Sequence, residues 1–115
     1  MQNSICNNNS NNIIIYNAIR KLGLRPNNCG TTFILRAVQL AKAQKDIVIL
    51  NDIYIELSKT SAQLSPNQIK MSIKYAIDHR NEQKSISNFE EIFGYEYDEE
   101  IFTNKDLIEE LARII

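Results

Sequence analysis

Ser65-Pro66-Asn67-Gln68-Ile69-Lys70-Met71-Ser72-Ile73-Lys74-Tyr75-Ala76-Ile77 decides the fold, because it holds a helix start and a helical period in one stretch. Ser65 suits an N-cap and Pro66 the first helical position, while Gln68 stands where its side chain can reach back and complete a capping box. A long helix is predicted from there to about Glu82. On a helical wheel Ile69, Ile73, Ala76, Ile77 and Arg80 share one side. Asn67, Met71, Lys74, Tyr75 and Asp78 share the other, with Gln68 and Lys70 flanking. One side is built to be buried and the other to meet something polar.

Immediately upstream, Asn51 and Asp52 can cap a helix carrying Ile53, Leu57 and Lys59, and Thr60 to Leu64 is a short connection. The order helix, short turn, helix is that of a helix-turn-helix, in which the second helix enters the major groove of DNA. The run Ile47-Val48-Ile49-Leu50 fits either a short strand or, as preferred here, a buried helical connection.

Further out, Ile14, Ile15, Ala18, Ile19 and Leu22 recur at helical steps before Gly23, a C-cap signal, and so define a first helix from Ile13. Arg25-Pro26-Asn27-Asn28 is turn chemistry. Thr31 or Thr32 can then cap a helix through Phe33, Ile34, Ala37, Val38, Leu40 and Ala41, ending near Lys45. Downstream, Ser87 or Asn88 can open a short helix ending at Phe93-Gly94, and Thr103-Asn104-Lys105-Asp106 can open a last one through Leu107, Ile108, Leu111 and Ile115. Tyr95 to Phe102 is predicted as a small strand or an ordered loop. The expected fold is all-α, about six helices containing a helix-turn-helix.

With 115 residues the chain has the size of one domain, expected over 13–115. Residues 1–12 include six asparagines and few apolar side chains, which cannot offset the entropy of ordering, so a disordered tail is predicted there. No apolar run approaches the roughly 18 residues of a membrane span, and a basic-then-apolar leader is missing from the start, so no membrane role and a cytoplasmic location are expected. Cys6 and Cys29 lack CxxC or histidine spacing and read as free thiols. The acidic group Glu96, Asp98, Glu99 and Glu100 lacks the ligand spacing of a calcium loop and reads as a solvated loop, not a metal site. His79, the single histidine, has no nucleophile paired with it by pattern. With no GxGxxG, P-loop or GxSxG element either, neither catalytic residues nor a cofactor is expected.

Charge is distributed unevenly along a chain of formal net charge −1. Residues 1–58 hold six Lys/Arg against three Asp/Glu, residues 59–84 five against two, and residues 85–115 two against nine. A basic middle before an acidic end suits a protein that turns one face to a polyanion, although a pI near 5.8 is low for a nucleic-acid binder. The predicted base-reading residues are Asn67, Gln68, Met71, Lys74 and Tyr75. Amides pair with adenine edges, lysine reaches guanine acceptors or phosphates, and methionine can touch a thymine methyl. Lys59, Ser65, Lys70, Arg80 and Lys84 are the candidates for phosphate contact, Lys59 and Lys84 flanking the groove. For Gln68 the alternative is occupation by its own capping box, and for Lys70 and Lys74 a solvated face.

Over roughly residues 17–115 the chain also resembles the C-terminal DNA-binding domains of stage 0 sporulation protein A, the sporulation master response regulator. The resemblance rests on Ile19–Leu24 (IRKLGL), Gly30–Val38 (GTTFILRAV), Ile53–Lys59 (IYIELSK), Gln68–Asp78 (QIKMSIKYAID), Ser85–Tyr95 (SISNFEEIFGY) and Thr103–Arg113 (TNKDLIEELAR), in the family's order. It implies a six-helix fold, sequence-specific binding to short boxes near promoters, and head-to-tail association of two copies on tandem sites; RNA polymerase or a related regulator is a further candidate partner. No receiver domain precedes residue 13, so switching by aspartate phosphorylation is not expected of the chain as given. Gln68 and Met71 stand where the family tends to carry arginine, while Lys74 keeps a cation. An altered base preference and weaker binding are therefore expected, because the bidentate fork to guanine is lost. Two functions fit: a double-stranded DNA-binding protein, as a transcription regulator or an accessory factor of a mobile element, and a protein-interaction module of the same fold that modulates a related regulator.

Overall fold

The computed structural model describes residues 2–44, 49–61 and 64–115, with the backbone alone for residues 2–11. Six α-helices follow one another: α1 (Gln2–Lys21), α2 (Cys29–Ala43), α3 (Leu50–Thr60), α4 (Pro66–Asp78), α5 (Glu82–Phe93) and α6 (Asn104–Ile114). A 3₁₀ turn lies at Glu99–Ile101, and the described residues contain no strand. None of these helices is long and apolar enough to cross a membrane. The fold is all-α, as the periodicity predicts, and Tyr95 to Phe102 takes the ordered-loop alternative. Helix α2 ends at Ala43, two residues short of the expected end near Lys45, and the reading of Ile47-Val48 falls outside the described residues.

Most helix starts are fixed by a local side chain. Asn28 Oδ1 accepts from the Gly30 amide at 2.9 Å, Asn81 Oδ1 from Lys84 at 3.3 Å and Thr103 Oγ1 from Asp106 at 3.2 Å. The cap of α2 is thus Asn28 and not Thr31 or Thr32. Likewise α3 begins one turn early, with Ile49 at its cap position and no side-chain bond there, so Asn51 and Asp52 lie inside the helix. At the other ends, Gly23 (φ 94) after α1 and Gly94 (φ 86) after α5 take the left-handed conformation that lets the chain leave a helix.

Three boundaries differ from the sequence reading for tertiary reasons. Helix α4 stops at Asp78 instead of about Glu82. The Asn81 amide donates to the Gly23 carbonyl at 2.8 Å while its side chain caps α5, which therefore starts at Glu82 and not at Ser87 or Asn88. Helix α1 runs back to Gln2 where a tail is predicted. With the Ile15, Ile19 and Leu22 turns anchored, each further residue adds a hydrogen bond without the cost of nucleation. Ile14, placed on the buried stripe by its spacing, is 54% exposed.

The buried side chains form one cluster with α2 at its centre, packed against α1, α3, α4 and α6. Gly30 permits the closest of these approaches, since a Cβ there would lie 2.0 Å from the Ser72 carbonyl oxygen of α4. Ile69, Ile73 and Ile77 of α4 are essentially fully buried, each contributing about 1.5–3 kcal/mol over exposure. Their burial leaves the opposite side of α4 to solvent.

Candidate nucleic-acid interface

Helix α4 is held at both ends and along its back. At its start the Ser65 hydroxyl accepts from the Gln68 amide at 3.1 Å, and Gln68 Oε1 accepts from the Ser65 amide at 2.8 Å, closing the capping box. The turn before it is tied to α2 by Arg36, whose guanidinium donates to Thr60 Oγ1 and to Ser61 Oγ. From α6, the Asn104 amide donates to the Lys70 carbonyl and to the Tyr54 hydroxyl of α3, both at 3.0 Å. Burial raises the Tyr54 hydroxyl above its ordinary pKa, with the Asn104 bond working the other way, so it stays a neutral phenol there. These bonds tie the end of α3 to α2 and join α3 and α4 through α6.

On α4 Asn67, Gln68, Lys70, Met71, Lys74 and Tyr75 are all exposed, Met71 by 50% and Tyr75 by 56%. Large side chains left this open along one helix face are available to a partner. Several carry internal partners as well. Gln68 uses its carbonyl oxygen in the capping box and retains its amide hydrogens; Lys74 Nζ pairs with Asp78 at 3.0 Å; Tyr75 stacks on His79 with ring centroids 3.8 Å apart. The His79 ring lies 2.9 Å, through Nδ1, from the Tyr75 carbonyl, so the sole histidine finishes α4. An exposed pair such as Lys74–Asp78 is worth under about 1 kcal/mol and opens readily for a phosphate.

The phosphate candidates separate more widely. Ser65 is exposed at the N-terminus of α4, and Lys59, paired with Glu56 at 2.9 Å, stands on the last turn of α3 beside it. Lys70 has no acidic partner among the described residues and borders a groove of about 440 Å³ with Lys74, Asn51, Asn104 and Lys105. Lys84 lies on the first turn of α5 and lines a different groove. Arg80 is not on α4 at all. Its guanidinium donates to the Ser85 hydroxyl at 2.9 Å, the Ile77 carbonyl at 3.1 Å and the Tyr97 hydroxyl at 3.3 Å, and sits 3.8 Å from the Phe102 ring centre. It is a half-buried clamp on the α4–α5 corner.

Sequence reasoning passed over the neighbours that the start of α2 and the connection before it supply. Asn28 and Cys29 border a shallow groove of about 450 Å³ with Met71, Ser72 and Tyr75, and Arg25 Nε donates to the His79 carbonyl at 3.1 Å. Cys29 is a free, exposed thiol. Their separation from α4 in the chain left no local signal to find them by. No group of metal-ligating residues occurs among the described residues.

A family model described as Sporulation initiation factor Spo0A C terminal matches residues 15–115. No curated protein and no solved structure matches the chain. The match runs from Ile15, the first buried residue among the described side chains of α1, to the residue that follows α6, in agreement with the motifs quoted above. The chain belongs to the family of Spo0A C-terminal domains, the DNA-binding domains of a sporulation transcription regulator.

Proposed function

We propose that the protein is a sequence-specific double-stranded DNA-binding regulator that lays α4 in the major groove. The observation that carries this reading is the row Asn67, Met71, Lys74 and Tyr75, exposed along a helix whose other side is wholly buried and whose ends are fixed by the capping box and by His79. Rigid presentation matters because base recognition needs donors and acceptors held in register with base edges. In this arrangement Asn67 and the free amide hydrogens of Gln68 meet base edges at the start of the helix, Met71 meets a thymine methyl, and Lys74 and Tyr75 read further along. Lys59, Ser65, Lys70 and Lys84 hold phosphates on either side. Arg80 supports the corner that aims α4. A regulator of this kind works in the cytoplasm, pairs head to tail on tandem sites, and contacts polymerase or a related regulator while bound.

The interaction-module reading draws on one feature, the combination of exposed Met71 and Tyr75 with a Lys74 already paired to Asp78. Binding measurements separate the two. Affinity for duplex DNA should fall as salt rises, and Lys70→Ala/Lys74→Ala should lower the slope of log K against log salt by about 1, the share of the single Lys70 phosphate contact at roughly 0.9 per contact. Salt-insensitive binding, or a slope the double variant leaves unchanged, contradicts the DNA reading.

A further inference from the structure

Beyond the C-terminus of α4, the seam between α1 and α5 forms an open groove of about 360 Å³ lined by Asn17, Arg20, Lys21, Lys84 and Asn88. The residues that line it are all amides or cations, and it is built by registered contacts. Asn88 Nδ2 donates to the Lys21 carbonyl at 2.8 Å, Ser85 donates to the Leu22 carbonyl, and the Asn81 amide donates to the Gly23 carbonyl. Lys84, Asn88 and Glu91 follow one another at helical steps along the α5 edge. Lys21 Nζ pairs with Glu91 at 2.6 Å, which cancels its charge locally. Neither Arg20 nor Lys84 has an acidic partner within salt-bridge distance among the described residues, and both are exposed.

A chain of contacts connects this groove to α4. Tyr75 stacks on His79, the His79 carbonyl accepts from Arg25, and Arg25 follows the turn at Gly23 that is bonded to Asn81. The groove therefore begins where α4 ends. Cations and side-chain amides suit phosphate oxygens, which are contacted by these groups without regard to sequence.

We infer that the α1–α5 groove takes the sugar-phosphate backbone of the same duplex, on the flank beyond the C-terminus of α4, through Arg20 and Lys84. The inference rests on the DNA-binding reading of α4 and extends the contacted surface to one side of it. Lys84 alone was legible as a phosphate contact; Arg20 joins it only through the packing of α1 on α5.

The test is a salt titration of binding to the duplex enriched by wild-type protein from random sequences, in two forms. One form extends a full helical turn past the site on both sides, and the other ends flush with the site on the α4 C-terminal flank. Arg20→Ala/Lys84→Ala should keep the wild-type melting temperature and lower the slope of log K against log salt by about 2 on the long duplex, with no change on the flush one. A wild-type slope for the variant on the long duplex overturns this inference and leaves the reading of α4 standing. Equal slope losses on both duplexes overturn the flanking placement. If wild-type protein enriches no sequence, the reading of α4 fails and this inference fails with it.

Discussion

Gly30→Ala gives the packing of α2 on α4 its sharpest test, because two physical effects of opposite sign meet at one methyl group. Alanine in place of glycine within a helix ordinarily adds up to about 1 kcal/mol of stability. Here the new Cβ would lie 2.0 Å from the Ser72 carbonyl oxygen, 2.7 Å from its carbon and 2.8 Å from the Ala76 Cβ. Two of those three atoms are backbone, so no rotamer change relieves them, and α4 itself must move. Overpacking of this kind costs about 1–3 kcal/mol, occasionally more, and an immovable neighbour places it at the upper end. The net expectation is a loss of about 2 kcal/mol after the helix-propensity gain, equivalent to a melting temperature lower by roughly 8 °C for a chain of this size. Urea denaturation and calorimetry measure both. Amide chemical-shift changes should extend along α4 around Ser72 and Ala76 and not stay near residue 30. A variant that melts at or above the wild-type temperature would refute the close crossing of α2 and α4.

Two further predictions concern the ends of the molecule's helices. Ser65→Ala removes the hydroxyl that accepts from Gln68 and should cost about 1 kcal/mol in urea denaturation; an unchanged midpoint would mean that the capping box does not hold α4. Glu110 is held below the usual carboxylate range chiefly by the Arg113 hydrogen bond, with burial opposing and a hydrogen bond from the Tyr95 hydroxyl assisting. Because its pKa is lower folded than unfolded, its contribution is present above the ordinary carboxylate pKa and fades as pH falls through the folded value. The stability gap between wild type and Glu110→Gln should accordingly be larger at neutral pH than in acid, and a gap independent of pH would count against the Glu110–Arg113–Tyr95 cluster.

What could be read in the sequence follows the range of the interaction concerned. The start of α4 was legible because Ser65, Pro66 and Gln68 act on one another within four residues, and its buried side because Ile69, Ile73 and Ile77 repeat at the helical period. Its end was not, since nothing in His79-Arg80-Asn81-Glu82 forbids helix. The break comes from Gly23, almost sixty positions away, accepting from the Asn81 amide. Arg80 was misplaced for the same reason: its partners Tyr97 and Phe102 belong to a loop whose position is set by the packing of α5 and α6. Within the candidate interface, the exposed row on α4 was visible as a wheel. The pairing of Lys74 with Asp78 was not among the expectations, and the groove that joins Arg20 to Lys84 exists only once α1 and α5 meet.

The claim that α4 reads DNA is tested most directly by selection from random duplexes with wild-type protein and with Asn67→Ala/Met71→Ala, two exposed positions whose replacement leaves the capping box and the buried face intact. The account predicts that wild type enriches one short motif, and that the variant enriches a motif relaxed at the positions read by residues 67 and 71 while the remainder is retained. No enrichment by wild type, or the same motif from both proteins, would contradict it.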